Sequence, residues 1–202
     1  MSDIVRIRLY YDFASTLCYV AHRVLSAIEG EITDLGVELE WRPIDLTMHA
    51  PWNRGDSFRD NIRTSVQHTG RTLGVEVEMP DPWLDSRPAS EVALRAPTPG
   101  IEARWRRDVF DSFFQQRFFT LTPELLELAQ ELAGFTPPSE GEDAFRLVEE
   151  SSREAQALGV TGVPTLLLDN WMFGGIYDDE SMVAVLRQLS EQYREVGSQE
   201  VN

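Results

Sequence analysis

The sequence predicts an α/β fold in which the sheet-forming segments sit at the two ends of the chain and a helical block lies between them. Three observations carry this. Val5, Ile7, Leu9 and Tyr11 alternate with Arg6, Arg8 and Tyr10, the period-two pattern of a half-buried strand. Near the other end, Thr165 to Leu168 is a short β-type run, followed by the turn pair Asp169-Asn170 and a second run from Trp171 to Phe173. Between them, Thr47 to Gly159 reads almost wholly helical.

The elements follow in order. After the first strand, Cys18, Ala21, His22, Leu25 and Ile28 recur at helical spacing, and Ser15 or Thr16 is a natural N-cap. Beyond Gly36, Val37, Leu39 and Trp41 alternate with Glu38, Glu40 and Arg42, a strand of the same type that can lie parallel to the first. The block to Pro88 is rich in Gly, Pro, Asn and Asp and is expected to hold long loops and short helices. Ile101, Trp105, Val109, Phe110, Phe113, Phe114 and Phe118 form an aromatic helical face. Pro123 opens a helix that ends at Gly134, Thr136 to Gly141 is a loop, and Phe145 to Leu158 is one more long helix. After Gly174-Gly175, Asp178 or Asp179 caps a closing helix with Met182, Val185, Leu186 and Leu189 on its apolar face. The order is β-α-β, helices, then ββα. In one domain this is a thioredoxin-like fold with an inserted all-helical domain: residues 1–46 and 159–202 form the discontinuous thioredoxin-like part and 47–158 the insertion.

A length of 202 residues and an apolar fraction of 42% suffice for a substantial core. One cysteine rules out an intramolecular disulfide and any multi-thiol zinc site. No stretch approaches the roughly 18 apolar residues of a membrane span, and Asp3, Arg6 and Arg8 interrupt any signal-peptide core. A soluble, cytoplasmic protein is expected. The net charge is −16, and every basic residue is arginine. That balance repels nucleic acid and anionic membranes, so neither is an expected partner. His22 sits on the first helix, and His49 and His68 are widely separated, with no HxxxH or paired-carboxylate arrangement. No metal site is expected.

Two segments could carry chemistry. Ser15-Thr16-Leu17-Cys18 stands at a strand-to-helix turn, where unpaired N–H groups and the helix dipole stabilise an anion. A dithiol exchanger needs two cysteines, one at the helix start and one a turn later. Here the first position is Ser15, whose hydroxyl a helix dipole cannot ionise but which can hydrogen-bond a thiolate. Cys18 holds the second position, where a side chain usually points inward; a capping serine over a buried thiol is the plain alternative. The second segment is Gly159-Val-Thr-Gly-Val163-Pro164-Thr165, a proline directly before a β-run and a candidate cis peptide. A cis bond there would free the Val163 N–H and C=O to pair with an extended ligand.

Together the two segments resemble a known family. Asp12-Phe13-x-Ser15-x-x-Cys18-Tyr19 resembles the DFxCPWCY stretch of DsbA-family thioredoxin-fold proteins, especially the cytoplasmic FrnE-like branch. Gly159 to Thr165 is similar to that family's cis-proline motif, and Asp85-Ser86-Arg87-Pro88-Ala89 to a short motif of the inserted helical domain. A serine at position 15 is similar to kappa-class glutathione transferases and 2-hydroxychromene-2-carboxylate isomerases. That likeness implies Ser15 as a thiolate stabiliser and the Val163 backbone as partner of a cysteinyl moiety. It implies a substrate cleft formed by Phe13, Thr16, Val163 and Pro164. The chain departs from those enzymes at Phe173-Gly174-Gly175, where they carry Phe/Trp-Gly-x-Asp-Arg, and it has no lysine to hold glutathione.

Three functions stay open at this point. Ser15 can serve an external thiol such as glutathione in transferase, isomerase or reductase chemistry. Cys18 can act alone through mixed disulfides. The chain can also be a non-catalytic module that binds a small thiol or peptide-like ligand in the cleft. A homodimer is compatible with each.

Overall fold

A computed structural model describes residues 4–50, 53–118, 120–137 and 144–199. Asp3, Trp52 and much of the loop expected at Thr136 to Gly141 lie outside them. The chain forms β1 (Val5–Tyr11), α1 (Thr16–Ala27), α2 (Glu29–Asp34) and β2 (Val37–Pro43), then a 3-10 turn at Leu46–Met48. The middle holds α3 (Asp60–Thr72), α4 (Arg87–Arg95), α5 (Pro99–Phe110), α6 (Pro123–Ala133) and α7 (Arg146–Ala157). It closes with β3 (Thr165–Leu168), β4 (Trp171–Gly174) and α8 (Asp179–Gln199).

The four strands form one mixed sheet in the order β2-β1-β3-β4. β1 and β2 are parallel, with Val5 opposite Val37 and Tyr11 opposite Pro43. β3 runs antiparallel to β1, with Leu9 opposite Leu166 and Tyr10 opposite Thr165. Alternation sorts β1 onto two faces. Val5, Ile7, Leu9 and Tyr11 join the large core that includes α1, α8 and the middle helices. Tyr10 turns the other way and joins Ile44, Ala155, Val160 and Leu167.

The insertion completes the core of the sheet. Phe110 of α5 lies 5.0 Å from Phe13 and 6.0 Å from Tyr11, ring centre to ring centre, and Phe114 stacks on Tyr19 at 4.9 Å. The sequence boundary at residue 158 places α7 with the insertion. In the structure α7 covers the sheet's second face: Ser151 Oγ donates to the Pro43 carbonyl at 2.8 Å, and Asp45 N–H donates to Ser152 Oγ at 2.9 Å.

Two other expectations differ. The spacing predicts an aromatic helical face as far as Phe118, but α5 gives way to a π turn at Asp111–Gln115 and the helix stops there. The wider turn rotates the helical phase with Phe113 and Phe114 buried, and Phe118, beyond the end of the helix, is 53% exposed. The Gly- and Pro-rich stretch before Pro88 also contains a full 13-residue helix, α3. Its apolar stripe is thin, and it is seated through Gly70, whose missing Cβ lets the backbone approach Val75, Val77 and Val20.

Candidate active site at the start of α1

The end of β1, the start of α1 and the residues before β3 meet at one end of the sheet. Tyr10 pairs with Thr165, so the turn after Tyr11 lies beside the Val163-Pro164 segment that leads into β3. The turn is tight: Ser15 N–H donates to the Asp12 carbonyl at 3.0 Å. Ser15 is the N-cap, with extended backbone, and its Oγ accepts from Cys18 N–H at 3.3 Å. The cap uses only the oxygen, so the hydroxyl hydrogen can point at a sulfur, and within the turn it draws on the Cys18 thiol. Thr16 Oγ1 is sealed from solvent and has no partner among the described residues.

The cysteine is set for packing. Cys18 has no exposure, and burial pushes its thiol up to about 12, against a smaller opposing pull from the Ser15 side chain. Phe13 and Ala14 are also fully buried, and Phe13 packs edge-on against Tyr11 at 5.1 Å.

A carboxylate absent from the sequence-based site underlies the turn. Asp12 accepts from Ala14 N–H at 2.7 Å, Leu46 N–H at 2.7 Å and Ser86 Oγ at 2.5 Å. Burial raises its carboxyl to about 6, with those three hydrogen bonds pulling downward. Ser86 belongs to the Asp85-Ser86-Arg87 motif, so this motif ties the insertion to the turn. Its neighbours extend the tie: Asp85 takes two contacts from the Arg87 guanidinium, at 2.8 and 2.6 Å, and one from Arg54, which also bridges to Asp45. Asp12 and Ser86 were both inside the quoted motifs. The signal that could have singled them out was a carboxylate directly after a buried strand.

At the second segment the Val163–Pro164 bond is cis. Pro164 is buried, its carbonyl accepts from Gly175 N–H at 2.9 Å, and Thr165 Oγ1 donates to the Gly162 carbonyl at 2.7 Å. Val163 is partly buried, and none of the backbone hydrogen bonds among the described residues uses its N–H or C=O. His49 contacts the same loop, its Nδ1 lying 3.0 Å from the Val160 carbonyl. His22 contacts Arg106, and Trp83 is buried against Phe58. Trp171 is 38% exposed on β4. Among the described residues no His, Cys, Asp and Glu cluster could hold a metal ion, and no helix is long and apolar enough to cross a membrane. A groove of about 700 Å³ opens elsewhere, beside β2. Its size does not make it the thiol site, because no helix N-terminus faces it together with the Val163 backbone.

The family model for the DSBA-like thioredoxin domain matches residues 6–187. The chain belongs to this family. Among solved structures, this DSBA-like chain is similar to a 2-hydroxychromene-2-carboxylate isomerase, with 20% identity, 96% of this chain and 99% of that one covered, and a TM-score of 0.70. It is similar to the cytosolic disulfide reductase DsbM of Pseudomonas aeruginosa, solved with GSH, at 19% identity, 96% and 100% coverage and a TM-score of 0.60. A periplasmic thioredoxin-like protein of Salmonella enterica serovar Typhimurium matches at 17% identity, 94% and 86% coverage and a TM-score of 0.56. No curated protein matches the sequence. These likenesses establish the thioredoxin-like fold with isomerases and disulfide reductases as neighbours, and the fold itself serves more than one compartment.

Proposed function

We propose that this DSBA-like protein acts on an external small thiol, with glutathione as the ligand, and that Ser15 rather than Cys18 faces the reacting sulfur. One observation carries the reading: the only thiol of the chain is fully buried and held up to about 12, while the Ser15 hydroxyl at the helix start spends only its oxygen on the cap. A thiolate brought by the ligand would accept the hydroxyl hydrogen and lie at the positive end of α1. Its cysteinyl backbone would pair with the free N–H and C=O of Val163, in the manner of an added strand. Phe13, Thr16 and Pro164, all buried, would back the turn and the loop from beneath rather than touch the ligand. The work of the protein is then to keep the sulfur ionised and oriented for attack on an electrophile, in isomerase, transferase or reductase chemistry. The neighbours described as an isomerase and as a reductase solved with GSH agree with that class, and a cytoplasmic location fits a glutathione-dependent reaction.

Thermal unfolding with millimolar glutathione tests this. A ligand at ten times its Kd contributes ~1.4 kcal/mol, which raises the melting temperature by ~3–6 °C for a chain of this size. The rise is expected in the native protein and lost in Ser15→Ala. No shift with glutathione or a related thiol, or an undiminished shift in Ser15→Ala, overturns the reading and leaves a binding module.

A further inference from the structure

α1, β2 and the corner between α4 and α5 enclose the groove of about 700 Å³, within the usual range of small-molecule sites. At its base the Arg106 side chain is only 8% exposed. Arg106 Nε donates to Glu102 Oε1 at 3.0 Å, Nη1 donates to His22 Nδ1 at 2.9 Å, and the guanidinium carbon lies 3.7 Å from the centre of the Trp41 ring. Glu102 also accepts from the Tyr11 hydroxyl at 3.1 Å. These contacts fix the guanidinium plane but do not use all its donors. Nη2 has no hydrogen-bond partner among the described residues, yet it is not among the atoms sealed from solvent. Because arginine only donates, His22 accepts at Nδ1 and carries its hydrogen on Nε2. Nε2 likewise lacks a partner and is not sealed.

Two fixed donors thus stand unused on a groove that both residues line. The wall is suited to an anion with an apolar body. Of its carboxylates, Glu38 pairs with Arg6, Glu40 with Arg42 and Glu102 with Arg106, which leaves Glu29 as the one unpaired carboxylate on the wall among the described residues. Arg104 and Arg107 stand on the same wall, in a chain that carries −16 overall. Leu25, Leu39 and Trp41 supply the apolar side.

We propose that this groove is a second ligand site, for a small organic acid whose carboxylate is held by Arg106 Nη2 and whose apolar body lies along Leu25, Leu39 and Trp41. The site is independent of the thiol site at Ser15. Calorimetric titration with 2-naphthoate and decanoate tests it against the uncharged 2-naphthamide. At least one acid binds, and the amide binds roughly tenfold or more weakly, because the charge-assisted hydrogen bonds are lost. Arg106→Lys loses the fork and weakens the acid by a similar factor. Gly100 lies on the same wall, and a Cβ there would meet no atom within 4 Å. Gly100→Phe therefore obstructs the groove without touching the Arg106 network and decides the case if Arg106→Lys fails to fold. Ser15→Ala leaves acid binding unchanged. The proposal is overturned if neither acid binds, if the amide binds as well, if Gly100→Phe binds normally, or if Ser15→Ala abolishes binding.

Discussion

Asp12→Asn should change how stability depends on pH, in a direction opposite to that of an ordinary paired carboxylate. Asp12 is fully buried and its carboxyl is raised from 3.8 to about 6. A group with a raised folded pKa contributes stability that is complete below the unfolded value and is lost as pH rises through the folded value. The window here runs from about pH 4 to about pH 6. A rise of this size corresponds to ~3 kcal/mol in full, of which ~2–3 kcal/mol falls between pH 4 and pH 7. Asn has no such titration. Its amide nitrogen must also face Ala14 N–H, Leu46 N–H or the Ser86 hydroxyl, so the variant is the less stable protein in acid. The gap between native and variant therefore narrows by ~2–3 kcal/mol from pH 4 to pH 7. Urea unfolding of both proteins across that range reads the gap directly, because the other carboxylates titrate alike in both and cancel. A gap that stays constant, or widens with pH, would refute the argument that burial dominates over the three hydrogen bonds.

Two further outcomes follow from burial. Cys18 has no exposed surface and a thiol near 12, so a thiol reagent labels the folded protein at least ~1000-fold more slowly than the urea-unfolded chain, as timed by mass spectrometry. Fast labelling of the folded protein would return Cys18 to the candidate nucleophiles. Gly70→Ala places a Cβ 2.7 Å from the Val75 carbonyl oxygen and 2.8 Å from Val77 Cγ2, which should cost ~1–3 kcal/mol and lower the melting temperature by several degrees. An unchanged melting temperature would mean that the 75–77 segment shifts freely.

Much of this architecture was legible because it rests on short-range pattern. The alternation at β1 and β2, the Ser15 cap, the Pro123 and Gly134 boundaries of α6 and the Asp169-Asn170 hairpin are all local. The π turn after Phe110 was not legible, because a one-residue change of phase leaves the apolar residues in place and alters only which of them point inward. That α7 meets the second face of the sheet was not legible, because its helical period says nothing of what it packs against. At the candidate site, Ser15, Cys18 and Pro164 announced themselves by type and position. Asp12 and Ser86 did not, since their roles depend on partners brought from far along the chain, and the same holds for Arg106 in the groove beside β2. Such pairings are set by packing rather than by spacing.

The strand order has a consequence for how the protein is made. β1 is central, yet its second neighbour, β3, is synthesised long after it: Leu9 waits for Leu166. At ~5–20 residues per second, the intervening chain takes roughly 10–30 s to emerge from a ribosome. Throughout that interval the inner edge of β1 is unpaired, and the cover of its apolar face arrives only in stages, from Phe110 late in the interval to Leu186 after it. Such non-local pairing makes for slow folding and a prolonged exposure to aggregation. The nascent chain is thus most vulnerable at the strand that later becomes its best-protected segment.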